Sequence, residues 1–506
     1  MLLQVLYGKV YGQHSTIRQF NKMYYVDDVN GSDTANGLSE HTAWKTLEPV
    51  NSTRFSPGTK ILFKAGGIWL GQLKPKGSGE TNYPIIIDRY GSGPKPLINA
   101  NGALGGVITL YNQSFWEINN LEITNDAADM GDRNGVAILA ENNGLISHIY
   151  LKNLYVHDVK GIISNGARTA GILFKTLADD KRDTRFDDVL IEGCEINNVQ
   201  NQGIHFRTPG ERSAGFNYPG TPDWERRKFT NMVIRNNVIH HISKNAILIR
   251  TTEGGLVEHN LCYETALDTT GNTIFTYGVR GTVFQYNEGY LNRSPGADGS
   301  LYDADIASPG TIWQYSYSHD NAHGLMWYCT DPRDTGIIVR YNISQNDKGR
   351  LIYFNYAFTS SSVYNNVFYV ADSLSPTIIA EKITKSHNYR FYNNIIYNNS
   401  ATAKYALATT GAGVQNRDYS HNIFYGQHPD GEPDDPHKII SDPKFVNPGK
   451  GRIGLKTLNG YRLKLGSPAI KAGKVVPHNG SRDFYGNAIP AFSSPNIGVY
   501  NGDGIK

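Results

Sequence analysis

The chain has 506 residues, enough for a large core or several domains, and nearly balanced charge, with 49 basic against 46 acidic residues. No basic block or basic amphipathic helix points to nucleic acid or a membrane surface, and no apolar run is long enough to span a bilayer. A charged fraction of only 19%, with 53 Gly and 32 Tyr, belongs to turn-rich all-β chains, and three scattered cysteines (Cys194, Cys262 and Cys329) are too few for a disulfide framework or a zinc site.

Residues 1–22 read as an N-terminal tail or the remnant of a signal peptide. The stretch "MLLQVLYGKVYGQHS" has a short apolar run but no basic n-region and no A-x-A-like site. Residues 23–100 read as strands, turns and a short capping helix near "AWKTLEPVN". Among them "DDVNGSDTANG" (27–37) puts Asp28, Asn30 and Ser32 at the alternate positions of a calcium loop. The glutamate such a loop needs at its twelfth position is missing, and Glu40 comes one later. A β-turn cluster is the favoured reading, with a structural calcium at Asp28 as the alternative. The chain reads as needing no cofactor.

From about residue 115 a short phrase recurs: β-formers, a polar pair usually ending in Asn, then more β-formers. Irregular copies, "WEINNLEITN", "IYLKNLYVHD" and "VLIEGCEINN", come first. Regular ones follow, with the second polar residue at Asn237, Asn260, Asn287, Ser316, Asn342, Asn366, Asn394 and Asn422, at intervals of 23 to 29 residues. That period, with short strands and no helical periodicity, predicts a parallel β-helix over 23–445, each coil stacked on the one before. An in-register Asn also predicts a ladder, because each side-chain amide can bond its counterparts above and below.

A second strand follows each Asn by about ten residues, as in "GILFKT" (171–176), "GIHFRT" (203–208) and "AILIRT" (246–251). Stacking aligns Lys175, Arg207 and Arg250. Cations burden an interior, so this column points outward together with Leu173, His205 and Leu248, while Ile172 and Phe174 point inward. The phrase "SLYDADI" (300–306) fills the same slot. Burying Leu301 in strict alternation would turn Asp303 and Asp305 inward at high cost. A shift of one residue, absorbed by the loop "NRSPGADG", turns both acids outward and Tyr302, Ala304 and Ile306 inward. A turn column holds His157–Asp158, His240–His241, His319–Asp320 and Gln345–Asn346, which sets Asp320 one coil beyond the other two acids. Residues 446–506 read as a C-terminal cap over the open end of the same domain.

Two carboxylates across a groove are the tools of glycoside hydrolysis. Asp303, Asp305 and Asp320 are the catalytic candidates. Residues two apart on one strand face lie roughly 6.5–7 Å apart, near the inverting range. His319, His205, Arg207, Arg250, Lys175, Trp327 and Asn346 are candidates for substrate binding, with Trp327, Tyr302 and Tyr328 as faces for sugar stacking. The basic stripe suits an acidic sugar and leaves β-elimination open as a second mechanism.

The N-terminal "YYVDDVNGSD" with "PGTKILFKAGGIWLGQL", the central "DGSLYDADI…TIWQYSYSHDNAHG", the "IIVRYNISQND" after it and the closing "SPAIKAG…NIGVY" resemble right-handed parallel β-helix proteins of bacteria that act on polysaccharides. Within that group the chain is most similar to the glycoside hydrolases of the α-L-fucosidase and xylanase kind. The resemblance implies an all-β, right-handed single-stranded solenoid. It also implies a monomeric, secreted, periplasmic or cell-surface enzyme that meets a polysaccharide or oligosaccharide. The group also holds lyases and epimerases, so a polysaccharide lyase and a non-catalytic glycan-binding solenoid stand as alternatives. The galacturonase-type pattern of acids is absent.

Overall fold

The computed structural model describes residues 20–177, 182–209, 218–330, 333–408 and 415–506. The stretch read as a tail or signal remnant lies, up to residue 19, outside them. The described residues form a parallel β-helix. Its strands fall into a 24-stranded and a 13-stranded sheet, and the ladders along the coils run parallel. Among the described residues helix is confined to short pieces, one of them Glu48–Ser52 in the N-terminal cap, where the "AWKTLEPVN" phrase leads one to expect it.

The core follows from the period-2 alternation of each strand. One inward column runs Ile172, Ile204, Ile247, Ile274, Tyr302, Met326 and Ile352, paired strand to strand. A second runs through Phe174 and Phe206, whose rings stack at 5.0 Å, and on through Ala304 and Tyr328 to Phe354. All of these side chains are completely buried. Leu301 is buried as well, so two consecutive residues, Leu301 and Tyr302, face the core where the chain turns its corner. The corner supplies the register shift expected of "SLYDADI": Tyr302 and Ala304 point in and both acids point out. Ile306 stays half-buried, because the strand ends at Asp305.

The predicted ladder is present. Asn237, Asn260, Asn287, Ser316, Asn342, Asn366, Asn394 and Asn422 are buried. Each backbone N–H donates to the side-chain oxygen of the next rung, as Asn342 does to Asn366 and Asn366 to Asn394, at 3.0 Å in both cases. The residue before each rung is left-handed, from Asn236 (φ 57°) and Tyr286 (φ 53°) to His421 (φ 59°). That conformation is costly for tyrosine, and the ladder bonds offset it. Ser316 breaks the Asn rule for a local reason. The Tyr302 hydroxyl reaches it at 2.6 Å and accepts from Asn287 Nδ2 at 3.2 Å, so a phenol replaces the missing amide.

Asp435 ends the ladder by accepting from Asn422, and Ile439 pairs with the last strand of the smaller sheet. The C-terminal segment does more than close that end. It folds back along the outer face of the 13-stranded sheet, where Phe445, Leu458, Tyr461 and Leu463 pack on the outward column Tyr317, Ile343, Val367, Ile395 and Ile423. Over these last coils no charged residue interrupts the column, whereas earlier Leu97, Val238 and Leu261 share it with acids. Earlier coils carry Glu122, Tyr155 and Glu195 there.

At the other end, the carboxylates Asp27 and Asp28 of the 27–37 loop take protein donors. Asp27 takes the N–H groups of Val29 and Asn30 and the ammonium of Lys64, and Asp28 takes the N–H of Ile68. Among the described residues, no group of three His, Cys, Asp or Glu could hold a metal ion.

Candidate active site

Asp303 and Asp305 lie on the strand Tyr302–Asp305 and face away from the core, onto the outer face of the larger sheet. Their neighbours on the next coil are Trp327 and Cys329. Asp303 is nevertheless only 4% exposed. Asn272 Nδ2 donates to one of its oxygens at 2.7 Å, and the other oxygen has no hydrogen-bond partner. Burial, then the negative charges of Asp305 and Asp298, push its carboxyl well above the ordinary range. A buried acid between two others is cheapest as the neutral form.

Asp298 is the carboxylate that the strand pattern did not reveal. It sits in the loop "NRSPGADG", which the strand pattern leaves as slack between two strands. The structure fixes that loop tightly. The Asn272 amide oxygen accepts from Gly299 and Ser300 N–H at 2.8 and 2.9 Å. Thr270 Oγ1 accepts from Asp298 N–H at 3.2 Å. His323 bonds the Gly296 carbonyl at 3.1 Å, and Arg350 reaches that of Ala297. Gly299 adopts φ 142°, and a Cβ there would come within 2.9 Å of the His323 ring, so glycine is required beside the acid. Asp298 is half-buried, which raises its pKa, while Thr270, Lys244 and Arg350 oppose the rise. The signal in the sequence was an acid followed by glycine at the entry to a strand that already carried two more.

The cluster is therefore Asp298, Asp303 and Asp305, with Asp303 buried between two partly exposed acids. Cys329 lies against it. Burial first, then Asp305 and Asp303, push its thiol pKa up, so it stays protonated beside Asp305. Trp327 is next to Asp303, but it is nearly buried, and the Arg350 guanidinium covers its ring at 5.1 Å.

Asp320 does not join the cluster. It occupies the left-handed turn position after a strand of the smaller sheet, at φ 57°. Its carboxylate bonds His319 Nδ1 at 2.8 Å, while His319 Nε2 meets Glu288 at 3.3 Å. The His319 ring stacks on Tyr290 and Tyr317. Glu288 in turn accepts from Gly454 N–H in the C-terminal segment. The expected single groove with Asp303 and Asp305 is thus divided between two sheets. Asn346 holds the equivalent turn at φ 57° and accepts from Ala371 N–H at 3.2 Å. Short polar residues suit this position because they tolerate left-handed backbone. Nor are Tyr302 and Tyr328 stacking platforms: both are core residues with no exposed face, bonded to Ser316 and Ser361.

The basic column is where stacking puts it. Lys175 pairs with Arg207, and His205 lies between Leu173 and Leu248 on the same outer face. Arg207 Nη1 donates to the carbonyls of Gly166 and Ala167 at 3.1 and 2.8 Å. Arg250 lies over the Tyr277 ring at 5.8 Å. This column and the acid cluster occupy one face, several strands apart.

Fold and site together define a β-helix solenoid with an acid cluster on the outer face of its larger sheet. Likeness to known proteins bears on the fold. A lacto-N-biosidase of Bifidobacterium longum subsp. longum is 29% identical over an alignment of 597 residues, which takes in 96% of this chain and 36% of that protein. The chain thus spans about a third of the length of that curated relative. The crystal structure of a GH136 lacto-N-biosidase from Eubacterium ramulus superposes with a TM-score of 0.64 at 24% identity, over 79% of this chain and 68% of that one. XylC, solved with xylose, superposes at 0.51 and 12% identity over 95% and 98%. These two likenesses establish the parallel β-helix fold. No family model matches the chain. Two of these three proteins are lacto-N-biosidases, and none is named as an α-L-fucosidase or a xylanase, the kind that the motifs resemble.

Proposed function

We propose that the protein is a glycoside hydrolase acting on an oligosaccharide, of the lacto-N-biosidase kind, with Asp298 and Asp305 as its working carboxylates. One observation carries this reading: two partly exposed acids flank a buried third on an outward-facing strand, and the loop bearing one of them is fixed by its neighbours. Sequence identity to a lacto-N-biosidase along nearly the whole chain supports it. One carboxyl protonates the leaving oxygen while the other attacks the anomeric carbon or activates water. Burial, and then the charges of Asp305 and Asp298, raise the Asp303 carboxyl and favour its neutral form beside the two working acids. Fixed geometry matters because a displacement of about 1 Å can cost roughly a hundredfold in rate.

The test is incubation of the purified chain with a p-nitrophenyl glycoside of lacto-N-biose and with a panel of oligosaccharides. Release of p-nitrophenol and free disaccharide supports the reading. An unsaturated uronate seen by ultraviolet absorbance would move it to the lyases, and binding without turnover to the adhesive solenoids.

A further inference from the structure

A cavity of about 430 Å³ lies where the C-terminal segment meets the left-handed corner residue Tyr286. That size falls among small-molecule sites, which run from about 300 to 1,000 Å³. Leu455, Phe484 and Tyr485 form its other walls, and Lys456, Asn459 and Arg462 complete the lining. The walls are held in place. The Tyr485 hydroxyl donates to the Leu458 carbonyl at 2.7 Å, and its ring meets Phe484 edge-on at 5.2 Å. Tyr286 stacks between His259 and Tyr315 at 4.9 and 5.1 Å. Both charged residues of the lining are cations. The Arg462 guanidinium lies over the Tyr485 ring at 4.9 Å, and its buried Nε has no hydrogen-bond partner. Among the described residues no carboxylate pairs with Arg462 or Lys456. Two acids, Asp483 and Glu258, act on the walls Tyr485 and Tyr286, but neither lines the cavity and both have donors of their own. Asp483 accepts from the N–H groups of Tyr485, Asn487 and Asn501, and Glu258 from Gln285 Nε2. A buried donor without an acceptor is costly, and the fork of an arginine fits a carboxylate with two parallel bonds.

We propose that this cavity is a second glycan site, which takes the carboxylate of an acidic sugar, a uronate or a sialate, on Arg462. Lys456 adds a second positive charge, and the Asn459 amide offers hydrogen bonds to ring hydroxyls. Leu455 and Phe484 take the apolar ring carbons. A neutral sugar fills the same walls but leaves the guanidinium without an acceptor. The pairing of Arg462 with a carboxylate stands on the cavity alone; that a sugar carries the carboxylate rests on the oligosaccharide reading above. The acid cluster contributes no residue to this lining, so binding here and turnover there can be measured apart.

The test is calorimetric titration of the full chain with sialyllactose, a glucuronate-terminated disaccharide and lactose. At least one acidic sugar is expected to bind at a single site, about tenfold tighter than lactose, and the two acidic ligands decide between sialate and uronate. Arg462→Gln is expected to remove that preference. Arg462→Lys should remove most of it, because an ammonium keeps the charge and loses the fork. Both variants, checked by thermal unfolding, should hydrolyse the p-nitrophenyl glycoside of lacto-N-biose within about twofold of wild type. Lys456→Gln, at an exposed position, serves if the arginine variants fail to fold and should weaken acidic-sugar binding about threefold. Equal binding of the three ligands, or a preference that survives in every folded variant, overturns the proposal. So does a preference abolished by Asp305→Asn, since the anion would then sit at the acid cluster. Binding that tracks Arg462 in a chain without turnover sinks the hydrolase reading and leaves this site standing; turnover without such binding does the reverse.

Discussion

Asn272 holds Asp303 and the loop carrying Asp298 with the two ends of one amide: its nitrogen donates to Asp303 at 2.7 Å, and its oxygen takes the N–H groups of Gly299 and Ser300. One buried side chain therefore sets the spacing between a strand acid and a loop acid. Asn272→Ala is expected to lower kcat roughly a hundredfold, the size of effect that follows a displacement of about 1 Å. The KM for a short substrate should change little, because the residue touches the acids and not the sugar. An unchanged kcat in steady-state kinetics would show that the loop keeps its place without Asn272.

Removing the acids themselves separates the two sheets. Asp298→Asn and Asp305→Asn are each expected to cost about 10²–10⁴ in kcat, the range for loss of a positioned proton donor or acceptor. Asp320→Asn, on the other sheet, should stay within a few-fold of wild type. Azide rescue of Asp298→Gly and Asp305→Gly, with the anomer of the product read by NMR, assigns the two roles.

Asp303 makes the fold sensitive to alkali. Its folded pKa lies above the ordinary 3.8. Its stabilising contribution is therefore complete below that pH and is lost as pH rises through the raised value. Asp303→Asn is expected to unfold at a higher temperature than wild type at about pH 8, with the gap closing toward about pH 4. Melting curves across that range check the sign.

His319 has its own pH window. Burial opposes its charge, but Asp320 and Glu288 prevail and lift its pKa from 6.5 to about 9. Its contribution is complete below 6.5 and falls away as pH rises through about 9. Asp347, Tyr317 and Tyr290 surround the same pair. Because Glu288 also holds Gly454, the loss should loosen the C-terminal segment. His319→Gln is expected to flatten the pH dependence of melting in this window, and hydrogen exchange at residues 449–461 should rise with pH in wild type only.

The ladder predicts its own substitutions. Asn366 Nδ2 serves the Val339 and Tyr364 carbonyls and the Asn394 side chain. Asn366→Ala strands these buried acceptors at about 1–3 kcal/mol each. Chemical denaturation should show a loss of at least about 3 kcal/mol. Asn366→Ser should lose nearly as much, because the serine tolerated at position 316 depends on the Tyr302 hydroxyl.

The sequence by itself determined the solenoid. Its period, the Asn rungs and the alternation of Ile172, Leu173, Phe174 and Lys175 are local patterns repeated coil after coil, and parallel stacking turns each repeat into a column. The outward aim of Asp303 and Asp305 was legible for the same reason, since burying two charges inside the stack is too costly. What only the tertiary structure decided was which faces meet. Asp320 follows Asp305 closely in sequence, yet a corner of the coil sends its carboxylate to His319 on the other sheet. Asp298 sat in a stretch with no periodicity, so no repeat could place it, and contacts with Asn272, His323 and Arg350 from other coils did. That the His205 ring nitrogens, Gln202 Oε1 and Asn245 Oδ1 have no hydrogen-bond partner was equally hidden. Hydrogen-bond satisfaction depends on every neighbour in space, and a strand pattern records only the direction in which a side chain points.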